Sequence, residues 1–295
     1  MKHNSNIDKD YAHYVVEREA PLLDYLLETV KWSRSKMKAT LQGRGIKVNG
    51  KTVTQFDYLL KPGMTLEVSR KKLNDQFRSR YLKLIYEDSH LVVIDKNIGI
   101  LSMAAGHHSQ NVKSVLDDYF TKTRQKCRAH VVHRLDRETS GLMVYAKDME
   151  TEQILEHNWH DIVYDRRYIA LVSGEVSDDK GTIASWLKDN KSFVTYSSPV
   201  DNGGKYAVTH FRTLARGNGY SLIEYRLETG RKNQIRVHSA DMMHPVCGDR
   251  KYGNGDDPLN RLCLHAYRLH FYHPITHERM EFETPIPLAF KSVVK

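Results

Sequence analysis

Cysteine is scarce, 3 in 295 residues, and Cys127, Cys247 and Cys263 stand far apart with no C-x-x-C pair. An odd, scattered set excludes a disulfide framework and a paired-cysteine redox or metal motif, and predicts a reducing, cytoplasmic setting. Long apolar runs are missing as well. Nothing approaches the ~20 residues that span a bilayer, and no apolar leader segment opens the chain, so no membrane association is expected. Neither G-x-x-x-x-G-K-[ST] nor G-x-G-x-x-G follows a strand pattern, which removes the usual phosphate cradle of a nucleotide cofactor. His157, His160, His270 and His273 have no cysteine or carboxylate at ligand spacing, so neither a metal nor another cofactor is expected.

Acidic residues are missing from one further place. Residues 1–80 carry 16 Lys or Arg against 9 Asp or Glu, most of the net charge of +9, and between residues 29 and 56 seven cations stand with no acid at all. Such an excess is the footprint of a phosphate-binding surface. Around it, Leu22, Leu23, Leu26 and Leu27 have helical spacing, and Ser33 or Ser35 can cap a second helix through Met37 and Leu41 that Gly43 and Gly45 end. Asn49-Gly50, between Ile46-Lys47-Val48 and Lys51-Thr52-Val53, predicts a tight hairpin, and Lys61-Pro62-Gly63 a turn before the strand Thr65-Leu66-Glu67-Val68. The expected organisation is an N-terminal tail over 1–19, a small domain over 20–70, a basic linker over 71–80 and a main domain over 81–295.

In the main domain, strands are expected at 82–86, 91–94 and 168–172, and in a hairpin of 209–215 with 220–227. Helices are expected at 112–120 and, capped by Thr229, at 231–243, while 264–272 should pair with 280–282. Hairpins dominate, so the class is α+β with a largely antiparallel mixed sheet. One stretch is chemically distinctive: His133-Arg134-Leu135-Asp136-Arg137-Glu138-Thr139-Ser140-Gly141. It sets one carboxylate between two guanidiniums, on a loop that turns into the apolar strand Leu142-Met143-Val144-Tyr145-Ala146. Nearby cations favour an ionised carboxylate, as a nucleophile or base requires. A glycosidase would need a second carboxylate across the scissile bond, and only Glu138 is near in sequence.

That stretch resembles the signature of the RluA-type pseudouridine synthases. Three further segments resemble the same family in the same order: Arg167-Tyr168-Ile169-Ala170-Leu171-Val172-Ser173-Gly174, Glu228-Thr229-Gly230-Arg231-Lys232-Asn233-Gln234-Ile235-Arg236-Val237-His238, and His244-Pro245-Val246-Cys247-Gly248-Asp249. The resemblance covers roughly residues 80–290. It implies a uridine isomerase in which Asp136 is the catalytic aspartate, Tyr168 the active-site tyrosine and Arg236 the cation paired with Asp136. It further implies that Arg134 fills the space left by the flipped base, with His133, Arg231 and Gln234 also binding substrate. Residues 20–70 resemble a small RNA-binding domain first described in a ribosomal small-subunit protein, which implies that Arg34, Lys36, Lys38, Arg44 and Lys47 face RNA. The partner so implied is structured RNA, ribosomal first and transfer RNA as the alternative, bound without a cofactor; a monomer is expected, because no apolar interface segment stands out in the sequence. A non-enzymatic RNA-binding assembly factor and a uracil-releasing glycosylase remain competing readings. Two departures from the family bear on substrate choice. Lys96-Asn97-Ile98-Gly99 stands for Lys-Pro-x-Gly and predicts a more mobile loop running on to Met103-Ala104-Ala105-Gly106, and Lys232-Asn233 stands for Thr-His or Ser-His before Gln234.

Overall fold

In the computed structural model, which describes residues 11–32, 34–42, 45–69, 77, 79–104 and 110–295, Asn49 and Gly50 take the positive φ angles (49° and 76°) of a tight turn. They join β3 (Ile46–Val48) to β4 (Lys51–Thr52) in a sheet ordered β1-β6-β3-β4, where β1 is Tyr11–Val15 and β6 is Thr65–Ser69. The short strands β2 (Ala20–Pro21) and β5 (Leu59–Leu60) pair with each other, and β2 leads into the helices α1 (Leu22–Val30) and α2 (Arg34–Gln42). Leu22, Leu23, Tyr25 and Leu26 of α1 are buried with Met37, Leu41, Ile46, Leu66 and Val68 in a core of their own. Two expected boundaries are corrected. Residues 11–15, expected in a tail, pair with β6 and cover its edge, and Val16 is buried beside them. Phe77, expected in a basic linker, is instead packed edge-on against Tyr119 at 5.0 Å in the main core. Residues 71–76 and 78 of that linker, and residue 70 before it, lie outside the described residues.

The second unit is one eleven-stranded sheet ordered β13-β12-β14-β15-β11-β16-β10-β8-β7, with β17 beside β16 and β9 beside β10. Its strands are β7 (Leu82–Glu87), β8 (Leu91–Lys96), β9 (His130–Val131), β10 (Ser140–Ala146), β11 (Val163–Ser173), β12 (Lys180–Asp189), β13 (Thr195–Ser198), β14 (Lys205–Gly217), β15 (Tyr220–Leu227), β16 (Leu264–Tyr272) and β17 (Arg279–Glu283). Helices α3 (Val112–Lys122), α4 (Met149–His157), α5 (Trp159–Ile162), α6 (Gln234–Asp241) and α7 (Leu288–Val293) complete it. Every named pairing is antiparallel except β10 with β16. Strand β10 is buried on both faces: Met143 and Tyr145 join the main cluster, Leu142 and Val144 a second one with Leu91, Val93 and Leu155. Gly141 makes the parallel contact possible. Its φ is 123°, and a Cβ there would lie 2.2 Å from the carbonyl oxygen of Ala266.

One helix start is also corrected. The helix expected at 231–243 begins only at Gln234, because Asn233 takes φ 55° and cannot continue it backwards. Thr229 does not cap it. Its hydroxyl donates to Gln234 Oε1 (2.8 Å) and accepts from the Val208 N–H (3.0 Å), while Gln234 Oε1 also accepts from the Arg231 N–H (2.9 Å). Among the described residues no helix is long and apolar enough to cross a membrane.

Candidate active site

Residues 132–139 connect β9 to β10, and both neighbours of Asp136 are clamped. Ser102 Oγ accepts from the Leu135 N–H (3.1 Å) and donates to its carbonyl (2.7 Å), while Leu135 itself is buried. On the other side the Arg137 carbonyl accepts from the Gly99 N–H (2.9 Å) and from buried Lys96 Nζ (3.1 Å). Lys96 also donates to the carbonyls of Asn97 and Ile100, and burial pulls its ammonium down to about 8. Asn97 Oδ1, where proline was expected, accepts from the Ile98 N–H at 2.9 Å. Residues 96–100 are therefore tied by hydrogen bonds to one another and to Arg137; residues 105–109 lie outside the described residues. A backbone clamped on two sides leaves the carboxylate between them little freedom.

Asp136 does not pair with its sequence neighbours. Arg137 Nε donates to the Gly99 carbonyl (3.2 Å), and Arg134 is exposed at the cleft. The partner of Asp136 comes from α6, one hundred residues on: Arg236 NH1 reaches Asp136 Oδ2 at 3.2 Å. Arg236 is in turn gripped by Asp249, Nε to Oδ2 and NH2 to Oδ1, both at 2.7 Å, and its NH1 also donates to Asn233 Oδ1 (2.9 Å). The Asp249 carboxylate is fully buried, that of Asp136 is 36% exposed. Burial pushes the Asp249 carboxyl up, but the Arg236 guanidinium outweighs it and holds it below the usual range. A two-point fork fixes the guanidinium plane and presents NH1 to Asp136. Asp249 ends the segment His244-Pro245-Val246-Cys247-Gly248-Asp249 that resembles the family, yet nothing in sequence spacing ties it to Arg236.

Asp136, Asn233 and Arg236 line a cleft of about 860 Å³ that also takes in Arg134, His133, Tyr168, Arg231 and Gln234, so the structure brings every expected main-domain site residue to one cavity. Lys113, Arg128, Arg166 and Lys232 add cations, a lining suited to a polyanion. Tyr168, on β11, is buried, and that burial raises its phenol above the ordinary value. His133 Nε2 accepts from the Val144 N–H (3.0 Å), and its ring lies 4.8 Å from that of Trp159. Burial and then Arg166 bring His133 down to about 3, so the imidazole is neutral and its proton sits on Nδ1. Arg166, missed from sequence, donates to the Thr229 carbonyl at 3.2 Å over Gly230, where a Cβ would meet its guanidinium at 3.1 Å. Among the described residues no group of three or more His, Cys, Asp or Glu is arranged to hold a metal ion.

On the small unit, Arg34 and Lys38 are exposed along α2, and Lys47 lies over the Tyr11 ring at 4.1 Å and pairs with Glu67 at 3.5 Å. The Lys36 side chain and Arg44 lie outside the described residues.

Comparison with known proteins places this arrangement. Residues 90–241 match the family model for RNA pseudouridylate synthases. The uncharacterized RNA pseudouridine synthase YjbO of Bacillus subtilis is 33% identical over 86% of this chain and 90% of its own length. The ribosomal large subunit pseudouridine synthase D of Neisseria meningitidis serogroup A is 35% identical over 87% of this chain and 72% of its own. Human RNA pseudouridylate synthase domain containing 4 has the same fold, with a TM-score of 0.58 at 22% identity over 71% of this chain and 90% of that one. A match across half the chain, relatives above 30% identity over most of their length, and a shared fold leave no room for a purely non-enzymatic RNA-binding factor: the chain belongs to the RNA pseudouridylate synthase family, and it is a pseudouridine synthase.

Proposed function

We propose that Asp136 is the catalytic carboxylate of this synthase and that its substrate is a uridine of large-subunit ribosomal RNA. The observation that carries the first part is the chain of charge from buried Asp249 through Arg236 to a half-exposed Asp136 in a basic cleft. Isomerisation breaks the bond between uracil N1 and ribose C1′, turns the base, and bonds C5 to the same C1′. It consumes no redox equivalent and needs a carboxylate at the sugar, whether to attack C1′ or to remove the 2′ proton. Arg236, oriented by Asp249, keeps that carboxylate aimed and paired. Tyr168 has a raised phenol, which supports stacking on the uracil and donating a hydrogen bond more than a resting phenolate base. Flipping the uridine costs a few kcal/mol, and exposed Arg134 at the cleft offers a guanidinium for the vacated space.

The ribosomal target is supported by relatives named for the ribosomal large subunit. Pseudouridine should be mapped across ribosomal and transfer RNA from cells with the wild-type chain, without it, and with Asp136→Asn. The expected result is loss of large-subunit positions in the second and third cultures alike. Loss only from transfer RNA would overturn the target, retained activity in Asp136→Asn the catalytic assignment, and free uracil as product the isomerisation itself.

A further inference from the structure

The tip between β12 and β13 stands beside the cleft and exposes a ring that the isomerisation does not use. Phe193 is 73% exposed and has φ 57°, a left-handed conformation that glycine and asparagine adopt more readily. Burial of the ring does not offset that conformation. The surroundings impose it instead. Asn190 Oδ1 accepts from the N–H groups of Ser192 and Val194 (2.9 Å each), and Phe193 N–H donates to the Asn190 carbonyl (3.0 Å). The Phe193 carbonyl accepts from Lys251 Nζ at 2.7 Å and Lys232 Nζ at 3.4 Å, and the Lys232 ammonium lies 5.9 Å from the ring centre. Strain kept in place around an exposed side chain points to use of that side chain.

The same two lysines connect the tip to the aspartate. Lys232 lines the cleft and precedes Asn233, which accepts from Arg236 and donates to Tyr252 (3.1 Å) and Thr195 (3.4 Å) at the start of β13. The Lys251 N–H donates to Asp249 Oδ1 at 2.9 Å, on the carboxylate that grips Arg236. Lys188 and Lys191 are exposed nearby in sequence, and the acid facing the group is Asp189, which takes Lys232 Nζ at 2.7 Å. An outward aromatic ring among lysines is the chemistry that holds single-stranded nucleic acid, the ring stacking on a base and the ammonium groups facing phosphates.

We propose that the β12–β13 tip is a second RNA contact of this enzyme, in which Phe193 stacks on an unpaired nucleobase flanking the target uridine while Lys232 and Lys251 face the adjoining backbone. This rests on RNA entering the cleft, and it does not depend on Asp136 being the catalytic carboxylate or on the RNA being ribosomal. The lysines beneath the ring link the tip to the two segments that hold Arg236, so the contact lies beside the site and adds to RNA affinity. Lys232-Asn233, where the resemblance leads one to expect Thr-His or Ser-His, supplies one of those links.

The test uses the full chain, with deproteinised total RNA from cells lacking it as substrate, and initial rates of pseudouridine formation as readout. Phe193→Asn removes the ring yet suits the left-handed backbone, so it should fold and melt no lower than wild type. It should raise KM between about 5-fold and about 150-fold, the span of one base–aromatic stack, with kcat nearly unchanged. Phe193→Trp should restore the wild-type KM. The proposal is overturned by an unchanged KM in Phe193→Asn, or by equal loss in the Trp and Asn variants. Filter binding of the same RNA by Asp136→Asn, with and without Phe193→Asn, keeps the result readable if the catalytic assignment fails.

Discussion

Asp249 never faces the cleft's open side, yet its removal should damage both stability and catalysis. Asp249→Ala strips a fully buried carboxylate from two 2.7 Å bonds to Arg236 and from the N–H groups of Lys251 and Tyr252. Removing one partner of a buried pair costs about 3–5 kcal/mol, because the other charge stays behind. Arg236 is 14% exposed and borders the cleft, so water reaches it and the lower end applies. About 3 kcal/mol corresponds to a fall in Tm of roughly 6–12 °C for a domain of this size. Arg236 would keep Asn233 and Asp136 as partners but lose the fork that sets its plane. A displacement near 1 Å at a catalytic group can cost about 100-fold in kcat. Thermal melting followed by circular dichroism and single-turnover pseudouridine formation read the two effects. The double variant Asp249→Ala with Arg236→Met removes both charges and should melt above Asp249→Ala alone. The pH dependence has a definite sign. Asp249 is depressed in the fold, so its contribution is complete above the ordinary aspartate value of 3.8 and fades as pH falls through the lower folded value. A melting point within about 2 °C of wild type, with undiminished kcat, would falsify this account of how Arg236 is held.

Two further outcomes follow from the packing. Gly141→Ala sets a methyl group 2.2 Å from the Ala266 carbonyl at φ 123°, and should cost about 3 kcal/mol or more; a chemical-denaturation midpoint near that of wild type would mean that β10 and β16 are not in contact there. His133, His238 and His265 are held by burial at about 3, 4 and 4, below their unfolded value of 6.5. Their folded contribution is therefore complete above pH 6.5 and lost as pH falls towards 4, with up to three protons taken up on unfolding near pH 5. All three together give a slope of up to about 4 kcal/mol per pH unit. Uptake of less than one proton, measured by calorimetry in buffers of different ionisation enthalpy, would contradict their neutrality.

Local chemistry was readable wherever a few adjacent residues decide the backbone. Asn49-Gly50 and Asn218-Gly219 both turn with positive φ, and the strands on either side are where their alternation predicts. The start of α6 was not readable, because Asn233 leaves the helical region to serve Arg236, Thr195 and Tyr252 at once. Residues 11–15 read as a tail in the sequence alone, because a strand that completes a sheet edge shows its purpose only beside its partner.

The site divides along the same line. The sequence alone determined that a carboxylate would stand on a loop leading into a buried strand, and that Tyr168 and Arg236 belong with it by resemblance. Only the tertiary structure decided that Arg137 turns to the Gly99 carbonyl, that Arg134 stands exposed in the cleft, that Arg236 meets Asp136 across one hundred residues, and that Asp249 orients it. Turns and strands follow from torsional preferences within a few residues, whereas an ion pair between distant segments exists only once β10, β11 and β16 have packed and brought Arg236 to 3.2 Å from Asp136.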